Sequence, residues 1–134
     1  MIMLHVFADR YGILKMKSET LNALFKHLIR SQICMINTYS IRYAYDNLPD
    51  GSALLTFLVH VHCYQNDEFW VHTMWDKYPS PFLMSVVRRL AQGVHDDLDV
   101  LDNLELCDYH EHKNEDERKA CPHKYVVMDF SKVC

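Results

Sequence analysis

Along most of the chain, apolar residues recur at the three- and four-residue intervals of a helix, not at the two-residue alternation of a half-buried strand. A first helix is predicted over 1–10, with Leu4, Phe7, Ala8 and Tyr11 on one face and Gly12 placed to end it. The clearest amphipathic pattern follows: Leu21, Leu24, Phe25, Leu28 and Ile29 fall on one stripe, while Lys17, Glu19, Asn22, Lys26 and Arg30 fill the opposite face. A third helix is predicted over 37–47, capped by Asn37 or Thr38 and lined on one side by Ile36, Tyr39, Tyr43 and Ala44. Leu48-Pro49-Asp50-Gly51 supplies its stop and turn.

Ser52 is a candidate cap for a fourth helix carrying Leu54, Leu55, Leu58, Val59 and His62 on one stripe. Its run Leu55 to Val61 is apolar enough to be a buried strand instead, and helix is the preferred reading. Phe69, Trp70, Thr73, Met74 and Lys77 suggest a further helix over 67–78. Pro79-Ser80-Pro81 then breaks the chain, and Pro81 suits the first turn of a helix over 81–92 that packs Phe82, Leu83, Val86, Val87 and Leu90 and stops at Gly93. From Asp96 the composition turns acidic around Leu98, Leu101 and Leu104, which predicts a short surface helix to Glu105. Beyond it the periodicity fails, leaving an irregular Cys/His-containing C-terminal tail with one apolar run, Tyr125 to Met128, that fits a short strand. The expected class is a mostly α protein, a helical array with that tail attached.

Composition supports this. Only three glycines and four prolines occur in 134 residues, too few for the turns of a β-sandwich or barrel. A hydrophobic content of 49% with 24% charged residues is that of a globular domain. The net charge of −4, from 14 basic and 18 acidic residues, leaves no basic face for a phosphate backbone, so no nucleic acid is expected. No apolar run nears the ~20 residues that cross a bilayer, and the first residues carry no basic leader or cleavage site, so no membrane contact and an intracellular, cytoplasmic or nuclear location are expected. Five cysteines, two of them (Cys34 and Cys63) inside apolar stretches, argue for thiols or metal ligands over a disulfide framework.

The sharpest candidate chemistry is Cys107-x-x-His110-x-His112 followed by Cys121-x-His123. Zinc takes thiolate sulfur and imidazole nitrogen in a tetrahedron, and two short ligand pairs joined by a charged loop can close around one ion. Five donors exceed four positions, so Cys107, Cys121 and His123 are joined by either His110 or His112. The competing reading leaves Tyr109 as an anchor, the histidines in solvent and the cysteines as ordinary thiols. His60, His62 and Cys63 form a second group, but on a helix His62 points away from the other two, so packing explains them better. His5, His27, His72 and His95 stand alone and receive no role. No Gly-x-Ser-x-Gly, phosphate-binding Gly-rich loop or helical His-Glu-x-x-His is present, and no enzyme is expected.

The segment from Val6 to Lys17, containing Ala8-Asp9-Arg10-Tyr11 and Leu14-Lys15, resembles the phrase with which BTB (POZ) domains enter their last helices. Tyr45-Asp46-Asn47-Leu48-Pro49, Trp70, Trp75, Pro81-Phe82-Leu83 and Cys107-Asp108-Tyr109-His110-Glu111-His112 follow in the order of fungal proteins of that family. The resemblance implies three segments: the C-terminal helices of a BTB domain over 1–35, a helical extension over 36–104, and a Cys/His-rich tail over 105–134. It implies an adaptor for a protein partner, either a cullin-type ubiquitin ligase or a substrate of one. The family's dimer-forming front is not among these 134 residues, which puts BTB-type dimerisation in doubt and suggests a fragment or a late-starting reading frame.

Overall fold

A computed structural model describes residues 1–31, 36–64, 75–95 and 103–129. The architecture is mostly helical: α1 (Ile2–Arg10), α2 (Leu14–Ser31), α3 (Thr38–Asn47), α4 (Ala53–Tyr64), a 3-10 turn at Trp75–Lys77 and α5 (Ser80–His95). The chain then forms strand β1 (Asn103–Glu105), a second 3-10 turn (Leu106–Tyr109), the short helix α6 (Glu115–Lys119) and strand β2 (Val127–Asp129).

The ends of the helices follow from local chemistry. Gly12, at φ 66°, closes α1: its N–H bonds to the Asp9 carbonyl at 3.2 Å and the Ile13 N–H to that of Ala8 at 2.8 Å, the paired bonds of a Schellman cap. The Asn37 Oδ1 accepts the Ser40 N–H at 2.8 Å and caps α3 as expected. Gly51, at φ 82°, turns the chain into α4. Ser52 stands at the start of that helix, and its hydroxyl is buried without a partner while its carbonyl takes the Thr56 N–H at 3.1 Å.

The run Leu55 to Val61 is helix, and α4 is the central one. Leu54, Leu55, Phe57, Leu58, Val59, Val61, His62 and Cys63 are all buried, because α3 covers one side, α5 another and the Leu106–Tyr109 turn a third. One hydrophobic cluster joins α1 to α5 with Leu104, Leu106, Tyr109 and Met128, so residues from all three sequence segments share a core.

Several expected faces are wrong. On α1 the buried residues are Ile2, His5, Val6 and Ala8, while Leu4, Phe7 and Tyr11 are 51%, 48% and 65% exposed. The helix is apolar on nearly every side, so its own sequence does not select a face. Packing against α2 and α3 does, and it takes His5 inward because the Thr20 hydroxyl meets its Nδ1 at 3.2 Å. On α3 the buried residues are Ile41 and Ala44, followed by Leu48 beyond its end, whereas Tyr39 is exposed. On α5 Phe82 is buried, but Val87 and Leu90 face outward, and the helix runs through Gly93 to His95. A single glycine costs a helix only about 1 kcal/mol, too little to stop one that is otherwise supported.

Of the surface helix expected over 96–105, residues 96–102 lie outside the described residues, as do 67–74 of the helix expected before it; its last residues, Trp75–Lys77, form a 3-10 turn. Asn103–Glu105 are a strand, antiparallel to β2 with Leu104 opposite Met128, and both side chains are buried. A buried partner across the ladder overrides the helical spacing of Leu101 and Leu104.

Candidate metal centre

Between the two strands the chain folds into a lobe whose backbone is pinned by short-range bonds. In the turn Leu106–Tyr109, Tyr109 points into the helical core. Its ring lies 5.0 Å from that of Phe57 and 6.5 Å from that of Phe25, and its hydroxyl is 2.7 Å from the His60 Nδ1. The segment leaves this turn extended at His110 and doubles back in a three-residue turn, with the His112 N–H on the His110 carbonyl at 3.1 Å. On a helix two residues two apart diverge; this turn instead places the His110 and His112 rings 5.5 Å apart.

Helix α6 returns the chain to the same place. The Asn114 Oδ1 accepts the Glu117 N–H at 2.8 Å, and the Glu117 carboxylate accepts the Lys113 N–H at 2.7 Å, a reciprocal clamp around the first turn. Acidic residues open α6 and basic ones end it, as the helix dipole favours. Arg118 pairs with Asp108 across the loop. Cys121 follows at once, its N–H on the Arg118 carbonyl at 3.1 Å.

Cys107, His110, His112 and Cys121 therefore converge, with one ligand atom of each within 4.8 Å of the others, and this Cys2His2 cluster could hold a metal ion. The Cys107 Sγ lies 3.1 Å from the His112 Nε2 and the His110 Nδ1 lies 3.3 Å from the Cys121 Sγ. A tetrahedral ion with bonds of about 2.0–2.3 Å would hold such atoms roughly 3.3–3.8 Å apart, so the donors stand close to a bound geometry. His123 is brought beside the cluster, its ring 5.5 Å from that of His110, but is not one of the four converging ligands. Both rings that compete for the fourth position, His110 and His112, are in.

Electrostatics suits a cation. Burial, reinforced by the neighbouring Cys121, pushes the Cys107 thiol up, and burial together with the His123 and His112 charges pushes His110 down. Neutral imidazole is the ligand form, and a divalent ion is what draws such thiols into thiolates.

Sequence reasoning missed the support behind the ligands. The His110 Nε2 donates to the Asn22 Oδ1 at 2.7 Å, which leaves Nδ1, facing Cys121, as the lone-pair nitrogen. Lys17 joins the Asp9 and Glu111 carboxylates at 2.7 and 2.6 Å, tying α1, α2 and the lobe together. Both residues were expected on the solvent face of α2; that face carries the lobe. A cavity of about 580 Å³, bounded by His5, Ser18, Glu111 and His123, opens beside the cluster.

The second group does not form a site. The His60 Nδ1 is held by Tyr109, the His62 Nδ1 donates to the Leu58 carbonyl at 2.8 Å, and the Cys63 thiol faces the Val86 carbonyl. No helix among the described residues is long and apolar enough to cross a membrane. No protein-family model, curated protein or solved structure matches the chain.

Proposed function

We propose that the chain is a helical domain whose C-terminal lobe is closed by a structural zinc ion held by Cys107, His110, His112 and Cys121. The observation that carries this reading is the convergence of two thiols and two imidazoles, from segments nine residues apart, on one point of the lobe. Two soft sulfurs and two nitrogens in tetrahedral reach favour zinc over the oxygen-seeking cations. Four protein ligands leave no open position, and the reading assigns no catalytic step. Buried free thiols at Cys63, Cys107 and Cys121 fit a reducing compartment, cytoplasm or nucleus.

Metal content and melting temperature of the purified chain test it. One zinc per chain is expected, with Cys107→Ala and Cys121→Ala each losing the metal and several degrees of Tm. His112→Ala should weaken zinc retention far more than His123→Ala. A metal-free chain whose Tm is unchanged by both cysteine variants removes the reading.

A second reading is favoured by a separate observation. Met3, Leu4 and Phe7 on α1 and Tyr11 just past its end are exposed apolar residues, in the segment that resembles a BTB domain. In this reading the chain is a protein-interaction module of the adaptor kind, and these residues dock a cullin-type scaffold. Titration calorimetry with a purified cullin N-terminal region should give a saturable isotherm that Leu4→Asp with Phe7→Asp abolishes. A flat isotherm from the folded chain ends this reading without touching the first.

A further inference from the structure

A second cavity, of about 540 Å³, lies between α3, the turn at Asp50 and Gly51, α4 and α5. The described lining carries more positive than negative charge. Arg88 and Arg89 line it from α5, and Asp50 is the one carboxylate in its described lining. Among the described residues neither arginine forms an ion pair or a side-chain hydrogen bond. The Arg89 Nε is moreover sealed from solvent with no acceptor, an arrangement that folded proteins avoid unless something else supplies one.

The rest of the lining narrows what that something is. Ser85 donates its hydroxyl to the Pro81 carbonyl at 2.9 Å, and Tyr45 lies beside it in the lining, so Ser85 forms wall and not recognition. Leu55, Val59 and Met84 give an apolar side to the same space. The guanidinium groups are thus the charged donors of this lining, with the Gln92 carboxamide beside them, set against a surface that suits a hydrocarbon or aromatic body. The Arg89 charge also reaches its neighbours: with burial the larger cause, it holds His60 down to about 4, and it opposes the burial that pushes the Cys63 thiol up to about 11.

We propose that this cavity binds a small organic anion, its carboxylate or phosphate oxygens held by Arg88 and Arg89 and its apolar body lying against Leu55, Val59 and Met84. The planar fork of an arginine matches either oxyanion, and the second arginine in the lining adds its charge to the hold on the head group. The site is separate from the Cys/His lobe and stands whether or not zinc is bound there.

The test is a titration of the full chain with phenyl phosphate, benzoate and inorganic phosphate, against chloride at matched ionic strength, followed by NMR of the arginine Nε–H and His60 ring signals. Saturable shifts are expected with phenyl phosphate or benzoate, the tighter of the two naming the head group. Arg89→Gln should weaken binding by about tenfold or more, the scale of a lost charge-assisted hydrogen bond, and Arg88→Gln should weaken it too. Bound anion should also raise the pKa of His60, because a negative charge favours imidazolium; a purely structural arginine would not move it. Should Arg89→Gln fail to fold, Arg89→Lys keeps the charge and still loses the fork. Shifts that stay linear with concentration, or that persist unchanged in the arginine variants, overturn the proposal. Inorganic phosphate saturating as tightly as phenyl phosphate overturns the apolar half of it.

Discussion

Asn22 sits on the second helix, yet its carboxamide decides which nitrogen of His110 faces Cys121. Replacing it with alanine leaves the four ligands in place and removes the acceptor that fixes the ring. Asn22→Ala is therefore expected to weaken zinc affinity by roughly tenfold or more with little change in secondary structure, read by competition with a chromophoric chelator. Unchanged affinity would mean the ring is oriented by its neighbours alone. The ligands themselves were largely legible in the sequence because they are local: Cys107, His110, His112 and Cys121 lie within one short stretch, although the spacing put His123 in the set with only one of His110 and His112, and the four that converge include both of these and leave His123 beside them. Asn22 was not legible, since 88 positions separate it from His110 and nothing in an exposed-looking asparagine announces a partner that far away. His62 poses a different residue-level question. Burial pushes it down to about 4 from the ordinary 6.5, with its bond to the Leu58 carbonyl opposing. Above pH 6.5 it is neutral folded or unfolded and contributes nothing to the pH dependence. Between 6.5 and about 4 the unfolded chain takes up a proton that the folded chain refuses, so stability falls as pH falls, by an amount on the order of 3 kcal/mol for the full shift. His62→Asn keeps a donor for Leu58 and does not titrate. Its urea midpoint should drop less between pH 7.5 and 5 than that of the unaltered chain, and equal drops would show the imidazole to be irrelevant to acid stability.

Helix α1 separates the existence of an element from the side it buries. Its span and its Gly12 stop are set by spacing and by a positive φ, both readable locally. Its inward face is set by α2 and α3, which have to be in place before Val6 and Ala8 are preferred over Phe7 and Tyr11. Two truncations measure the difference. Val6→Ala opens space in the core and should cost about 1–2 kcal/mol. Phe7→Ala loses chiefly a ring contact to Tyr11 at 4.6 Å on an exposed face and should cost about 0.5 kcal/mol or less. The reverse order in urea unfolding would put Phe7 back in the core. The same logic explains Tyr39 on α3 and Leu104 in β1. Helical spacing proposes a stripe; a neighbouring element, or a strand partner such as Met128, chooses which residues are used.

At the scale of the whole molecule the lobe is held in two ways that the proposed zinc site would affect differently. Its ends are anchored by apolar burial: Leu104, Leu106, Tyr109 and Met128 belong to the same core as Phe25 and Phe57, and β1 and β2 pair across the neck. Its tip, from His110 to Lys124, has no such burial. There Cys121 is the buried side chain, α6 is a five-residue helix with every side chain out of the core, and the side-chain ties outside the ligand cluster include Asn22 to His110, Lys17 to Glu111 and Arg118 to Asp108. A helix that short is not stable by itself, so under the proposed zinc site the ion would be what holds the tip closed. Removing zinc with a chelator at neutral pH should therefore raise amide exchange selectively. Peptides covering 110–124 lose protection, while those covering 104–109, 127–129 and the helix α4 keep most of theirs, since the core that protects them needs no metal. Uniform loss of protection would make the ion a requirement for folding of the entire chain. No change anywhere would place closure of the tip in the hydrogen bonds from α2 and take it away from the metal.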